Sequence, residues 1–375
     1  MAADERLTAR ERIEFRAARA LDALPAAVQV RLSGKPPVAI DGDTLAPATQ
    51  LALSLLERRG EPPTESLSPT QARAARRRLS AIYAGPPDQV GSVRDLELDT
   101  PIPLRARHYA PLEPGGPHPL LVYYHGGGFL FGDLDTHDRF CRLLCRHAGA
   151  HVLAIDYRLA RVLDGGREAM LGREALAWAY ANAQRLGADP ARVGVGGDSA
   201  GGNLSAVVSQ LAAHDGGPAP VVQLLIYPAT DMTRRRRSRE LFAEGFLLTD
   251  SEMDWFEANY LGAERAQQDD PRASPLLAED LSGLAPALVV TAAFDPLRDE
   301  GEEYAAALRA AGTPATLRRF AGFIHAFINT AGVSRASRDA VIEIAGATRA
   351  MFAAAVPTDG ADLAVDAGSA GAHDG

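Results

Sequence analysis

Six short apolar runs stand out between residues 120 and 320: Leu120–Tyr124, Val152–Asp156, Arg192–Val195, Val221–Tyr227, Ala287–Phe294 and Ala315–Phe320. Between several of them lie stretches with helical spacing of apolar positions, over 136–148, 167–186, 200–214 and 301–311. Short runs without polar alternation suit strands buried on both faces. Alternation of such runs with helices predicts a mostly parallel central sheet flanked by helices, an α/β protein. Before residue 88 the pattern is helical, broken at Gly34-Lys35-Pro36-Pro37 and at Pro62-Pro63. Ser68 followed by Pro69 reads there as a helix cap and first position. Strand-type alternation begins at Val93, and residues 231–283 interrupt the later pattern with a proline-punctuated helical insertion. The expected organisation is a helical region at 1–88, a main domain at 89–355 and a low-complexity tail at 356–375, read as disordered.

Composition narrows the class. A 46% hydrophobic fraction over 375 residues suffices for a sizeable core, and 23% charged residues is near the globular average. The net charge of -9 disfavours non-specific binding to nucleic acid or anionic membranes. The run Arg234-Arg235-Arg236-Arg237 stands alone in this acidic chain and reads as a solvated face. Cys141 and Cys145 fall on one face of a predicted helix, too far apart along its axis for an easy disulfide. A metal site there would need His137, His147 or His151 as further ligands, and no metal is expected. Met1–Arg19 carries charge throughout, and nothing approaches the ~18 consecutive apolar residues of a membrane span. A cytoplasmic protein without an integral membrane segment is expected; a homodimer is compatible with these features.

Candidate chemistry centres on Gly197-Asp198-Ser199-Ala200-Gly201, which follows the run Arg192–Val195 and opens an alanine-rich helical stretch. A G-x-S-x-G turn between strand and helix lifts a serine hydroxyl out of a sheet. Such a serine needs a histidine to take its proton and an acid to orient that histidine, in chain order serine, acid, histidine. Only His214, His325 and His373 follow Ser199. His373 lies in the tail and His214 ends the helix after the serine. His325 is left, in a loop after the last strand, with packing between Phe323 and Phe327 as its alternative role. Asp295 ends the most apolar strand of this half, where open α/β sheets build their sites; a turn-forming Asp before Pro296 is the alternative, and Asp299 is the fallback acid. After Leu120–Tyr124, His125-Gly126-Gly127-Gly128-Phe129 supplies glycines that let backbone N–H groups approach an oxyanion. No phosphate-binding glycine motif occurs.

With these residues the chain resembles the bacterial hormone-sensitive-lipase-like esterases, family IV of the α/β-hydrolase fold. The matching stretches are His125–Phe129, Asp156-Tyr157-Arg158-Leu159-Ala160, Gly197–Asn203, Asp295–Gly301 and Gly322–Phe327 within residues 90–350. The resemblance implies Ser199 as nucleophile, His325 as general base and Asp295 as its orienting acid. It implies oxyanion donors at Gly127, Gly128 and Ala200, and a helical cap made of the N-terminal region and the 231–283 insertion. One departure stands out: the proline-rich segment usual after Asp156–Ala160 is replaced by Arg161-Val162-Leu163-Asp164-Gly165-Gly166-Arg167. Glycines there raise the loop's unfolded-state entropy and leave the three site residues untouched.

The expected function is hydrolysis of short- to medium-chain acyl esters through an acyl-enzyme, with no cofactor and a small-molecule ester as partner. A non-catalytic receptor on the same fold, or an amidase or lactonase with the same triad, is the alternative. Trp255, Phe256 and Tyr260 in the insertion either line an acyl pocket or fasten the insertion to the main domain.

Overall fold

In the computed structural model, which describes residues 7–113, 116–159, 167–214, 217–262 and 267–355, the apolar runs become the strands of one sheet. The helical N-terminal region contains α1 (Ala9–Asp22), α2 (Ala26–Ser33), α3 (Pro47–Arg59) and α4 (Pro69–Ala84). Ser68 caps α4, with Pro69 at its first position and Gln71 closing a capping box. Between α2 and α3 stands a small hairpin, β1 (Ala39–Ile40) and β2 (Asp43–Thr44), which corrects the all-helical expectation. Its turn is Asp41-Gly42, both at positive φ (58° and 86°), the backbone that Asp-Gly hairpin turns require.

The main sheet begins with β3 (Ser92–Leu98) and β4 (Leu104–Ala110), then β5 (His118–Tyr124), α5 (Asp138–Ala148), β6 (His151–Asp156), α6 (Arg167–Leu186) and β7 (Ala188–Asp198). It continues through α7 (Ala200–His214), β8 (Gln223–Ile226), the insertion helices α8 (Arg237–Leu241) and α9 (Asp250–Leu261), β9 (Ala287–Phe294), α10 (Arg298–Ala310), β10 (Ala315–Ile324) and α11 (Arg335–Ala354). Strand order is β10-β9-β8-β7-β5-β6-β4-β3. The six strands from β10 to β6 pair in parallel, and β4 and β3 extend the β6 edge antiparallel. Every residue of β9 is buried, as a strand covered on both faces demands. The sheet is mostly parallel and flanked by helices, as the strand–helix alternation led one to expect.

Three details differ from the sequence reading: β7 starts earlier, at Ala188; α10 starts at Arg298; and β10 runs to Ile324 with a register shift after Phe320. The arginine run is only partly a solvated face. Arg234, Arg235 and Arg237 have side chains more than half exposed, but Arg236 is 6% exposed and pairs with Asp231 and Glu303 at 2.8 Å each. The loop 161–166 and the tail 356–375, His373 included, lie outside the described residues. Among the described residues, no helix is long and apolar enough to cross a membrane.

Candidate active site

The turn from β7 into α7 is built around close backbone approach. Ser199 adopts φ 55°, its N–H donates to the Ile226 carbonyl at 2.8 Å, and its carbonyl accepts from Asn203 N at 3.0 Å. A non-glycine residue at positive φ is strained, and surrounding hydrogen bonds must hold it there. Glycine at 201 is a steric necessity: a Cβ there would overlap the Tyr124 carbonyl oxygen and sit 2.6 Å from that of His125.

Three elements meet at this turn. Ser199 Oγ lies 3.0 Å from His325 Nε2, and His325 Nδ1 lies 2.8 Å from Asp295 Oδ2. A carboxylate only accepts, so Nδ1 carries the proton and Nε2 is left to accept from the serine hydroxyl. Asp295 is fully buried at the end of β9, and its Oδ1 accepts the Leu297 N–H at 2.9 Å. One carboxylate oxygen thus holds the turn before Pro296 and the other meets His325. His325 follows β10 and packs its ring on Tyr227 at 4.5 Å between centroids, whereas Phe323 and Phe327 contact each other at 4.8 Å.

The other candidates are engaged elsewhere. Asp299 pairs with Arg298 at 2.8 Å and accepts from Ser238 N at 2.7 Å. His214 Nε2 meets the Asp280 carbonyl at 3.2 Å.

The glycine loop after β5 is fastened to the serine turn by a residue the sequence did not single out. Buried Asp198 accepts from Tyr123 OH at 2.5 Å and from Gly126 N at 2.8 Å, with His137 Nε2 at 3.4 Å. Burial alone would raise its pKa, but His137 and these donors outweigh burial and leave it below the usual carboxylate value. Its position inside G-x-S-x-G was the available signal, since an acid at a buried strand end must be compensated. On the loop's far side, Arg73 Nε of α4 donates to the Leu130 carbonyl at 2.7 Å, and Arg77 pairs with Asp133. Gly127 holds φ 128° and Gly128 φ 58°. Among the described residues, the N–H groups of Gly127, Gly128 and Ala200 donate to no protein acceptor, and all three residues line the cavity that Ser199 and His325 face. His125 is no base: its ring stacks on Tyr157 at 4.3 Å, and burial with His137 nearby lowers its pKa to about 4.

A family model described as the alpha/beta hydrolase fold matches residues 121–329. The carboxylic ester hydrolase LipN of Mycobacterium tuberculosis is 48% identical over 337 residues, covering 87% of this chain and 88% of that protein. An ethyl acetate hydrolase of Pseudomonas putida is 35% identical over 290 residues, covering 75% and 90%. Among solved structures, an ester hydrolase from the metagenome of Lake Arreo, complexed with a derivative of bipyridine phosphonate, matches with TM-score 0.79 and 40% identity. That match covers 82% of this chain and 99% of the other. The chain belongs to the α/β-hydrolase family. The resemblance carried by its motifs to hormone-sensitive-lipase-like esterases holds at this level.

The cavity of this α/β-hydrolase, about 500 Å³, also reaches residues of α1, α3, α4 and α9. Phe256 and Tyr260 line it while also packing on Phe131 and Phe129, at 5.3 and 3.8 Å between centroids; Trp255 packs on Phe131 at 5.8 Å. The N-terminal region and the insertion meet through Arg76–Glu252 at 2.7 Å and Ser251–Glu65 at 2.7 Å. Cys141 and Cys145 are buried free thiols, and among the described residues no group of three or more His, Cys, Asp or Glu is arranged to hold a metal ion.

Proposed function

We propose that this α/β-hydrolase hydrolyses carboxylic esters with short- to medium-chain acyl groups through an acyl-enzyme on Ser199. The observation that carries the reading is the continuous hydrogen-bond chain Ser199–His325–Asp295 at a cavity also lined by Gly127, Gly128 and Ala200, whose N–H groups, among the described residues, donate to no protein acceptor. The ester-hydrolase names of the relatives support it.

Ser199 Oγ attacks the ester carbonyl carbon as His325 Nε2 takes the hydroxyl proton. Asp295 holds the imidazole in the required tautomer and stabilises it when charged. The N–H groups of Gly127, Gly128 and Ala200 accommodate the charge developing on the carbonyl oxygen. Collapse breaks the carbon–oxygen bond to the alcohol, which leaves with the proton from His325. Water then repeats the sequence on the acyl-enzyme, releasing the carboxylic acid and restoring Ser199. The helices before residue 88 and the 231–283 insertion act together as the cap over this site.

The test is hydrolysis of p-nitrophenyl esters by wild type and Ser199→Ala. Loss of kcat by at least about a thousandfold in the variant, with wild-type circular dichroism, is expected. Undiminished turnover in Ser199→Ala sinks the reading.

A further inference from the structure

Phe294 and Ile324, the residues immediately before Asp295 and His325, are the last pair of the β9–β10 ladder. The ladder is broken just before them: Phe320 pairs with Ala292 and Ile324 with Phe294, so β10 carries two extra residues in between. A bulge of this kind leaves part of its strand unpaired, to be held by other means. The β1–β2 hairpin holds it here. Inside the bulge, the Gly322 carbonyl accepts the N–H of Ala46, two residues past β2, at 3.0 Å. The approach is close: Gly322 has φ 79°, and a Cβ on it would stand 3.0 Å from both the Ala46 nitrogen and the Thr44 oxygen. Leu45, buried, shares one apolar cluster with Phe294, Ile324 and Phe242, the residue after α8.

The acid side is fastened to the same hairpin. Arg298, with a side chain 3% exposed, donates from Nη1 to the Ala293 carbonyl at 3.2 Å and from Nε to Asp299 at 2.8 Å. Its Nη2 meets Oδ2 of Asp41, the first residue of the hairpin turn, at 2.8 Å. The other oxygen of Asp41 pairs with Arg237 of α8 at 2.9 Å. A guanidinium as buried as that of Arg298 needs its charge compensated, whereas the turn itself needs no charge at Asp41. Asp41, Leu45, Ala46 and Arg298 are not among the residues that line the cavity, so contact with substrate does not account for this arrangement. We infer that the β1–β2 hairpin is a brace that sets Asp295 and His325 against each other, with Asp41, through Arg298, as a positioning residue. The inference rests on the esterase reading above. Misplacement of catalytic groups by about 1 Å costs up to about a hundredfold in rate, so losing one contact of the brace should cost about tenfold.

The experiment measures kcat and KM for p-nitrophenyl butyrate in wild type, Asp41→Asn, Arg298→Met, the double variant and Lys35→Met, with Ser199→Ala alongside. Sites are counted by the p-nitrophenol that a p-nitrophenyl phosphonate releases, so unfolded protein does not enter kcat. Asparagine keeps the size of Asp41 and tolerates its φ of 58°. Lys35 pairs with Glu57 at 2.6 Å in the same N-terminal region, both side chains more than half exposed. In Asp41→Asn, kcat per site is expected to fall about tenfold with KM within about twofold of wild type, and Lys35→Met to keep the wild-type kcat. The double variant should be no slower than Arg298→Met, because the two substitutions remove one shared contact. A lower urea midpoint in Asp41→Asn with kcat per site unchanged overturns the brace and leaves Asp41 a role in stability alone. Losses that multiply in the double variant overturn the route through Arg298. If Arg298→Met does not fold, Asp41→Asn carries the test by its kcat. Activity that survives Ser199→Ala strikes the esterase reading itself, so the two failures are told apart.

Discussion

His108 on β4 and His151 on β6 form a proton-excluding chain inside the sheet, and it sets an acid limit on the fold. His151 Nε2 faces the Gly187 carbonyl at 3.0 Å, so that nitrogen must carry hydrogen. Its Nδ1 then accepts from His108 Nε2 at 2.9 Å, which leaves His108 Nδ1 to face the Arg94 guanidinium at 3.4 Å. A further proton on His151 would point at the His108 N–H, and one on His108 would point at Arg94. Burial, with the neighbouring His151 and Arg94, lowers His108 to about 3. Burial, with His118 and Arg94, lowers His151 to about 4 despite its bond to Gly187. In the unfolded chain both titrate near ~6.5. The unfolded state therefore binds protons first, and stability that is complete above that value is lost as pH falls towards the folded values. Between pH 6.5 and 5 each histidine contributes at most about 2 kcal/mol. One proton breaks the chain both share, and solvent near Gly187 screens His151, so about 3 kcal/mol is the reasonable sum. For a chain of this size that is a Tm loss of about 4 °C. The comparison is His108→Gln/His151→Asn, whose amide can donate to the asparagine oxygen without titrating. Thermal unfolding at pH 7 and pH 5 should show the wild type losing about 4 °C more than the variant. Equal losses in the two proteins would refute the account, because every other titrating group is common to both.

Three further outcomes follow from the geometry. Gly201→Ala places a methyl on the Tyr124 carbonyl oxygen and should destabilise by about 3 kcal/mol or more, read as a fall in urea midpoint or loss of soluble protein. Arg73→Met removes the donor on the Leu130 carbonyl beside the glycine loop, and kcat for a p-nitrophenyl ester should fall about tenfold with KM little changed. Arg73→Lys should restore part of that loss. Arg239→Met removes a side chain 5% exposed that pairs with Asp250 at 2.5 Å and with Asp254 and Glu257 at 2.8 Å each; it should cost about 3–5 kcal/mol, whereas Arg235→Met, at a side chain 53% exposed, should cost under about 1 kcal/mol by the same unfolding assay.

Much of the sheet was legible because parallel strands buried on both faces leave few polar positions to blur the run, as in Leu120–Tyr124 of β5 and in β9, where Thr291 is the one polar residue. The β1–β2 hairpin was not, since two residues per strand show no periodicity; Asp41-Gly42 was its one signal. Among the site residues, Ser199, Asp295 and His325 are brought within hydrogen-bond reach of one another, each just beyond a strand end where chain order suggested it. Asp198 and Arg73 escaped notice for a common reason. Each acts by holding another segment's backbone, Gly126 or Leu130, and such pairings depend on which strands are neighbours. The histidine pair is the same case: His108 and His151 become partners only through the antiparallel register of β4 on β6. The buried Arg236 was misjudged because a charge run was weighed against net charge and not against the acids near it. Asp231 at the start of the insertion and Glu303 of α10 supply its partners.

The helix α4 joins these separate observations. One face reaches the glycine loop, with Arg73 on Leu130 and Arg77 on Asp133, while Leu79 and Ile82 lie in the cavity lining. A third contact, Arg76 to Glu252, ties it to α9, whose Phe256 packs against Gly128 from the opposite side. The loop bearing two of the proposed oxyanion donors is thus held between α4 and α9, and the same α4 lines the cavity through Leu79 and Ile82. A ligand that shifts α4 by a few tenths of an ångström would move the Leu130 carbonyl anchor with it, since a hydrogen bond of 2.7 Å transmits such a displacement. On the proposed esterase reading, substrates that reach Leu79 and Ile82 of α4 are expected to gain in kcat as well as in KM, and Arg73→Met should remove the gain in kcat while leaving the gain in KM. A kcat profile flat across acyl lengths in the wild type would show that filling this part of the cavity and order in the loop are independent.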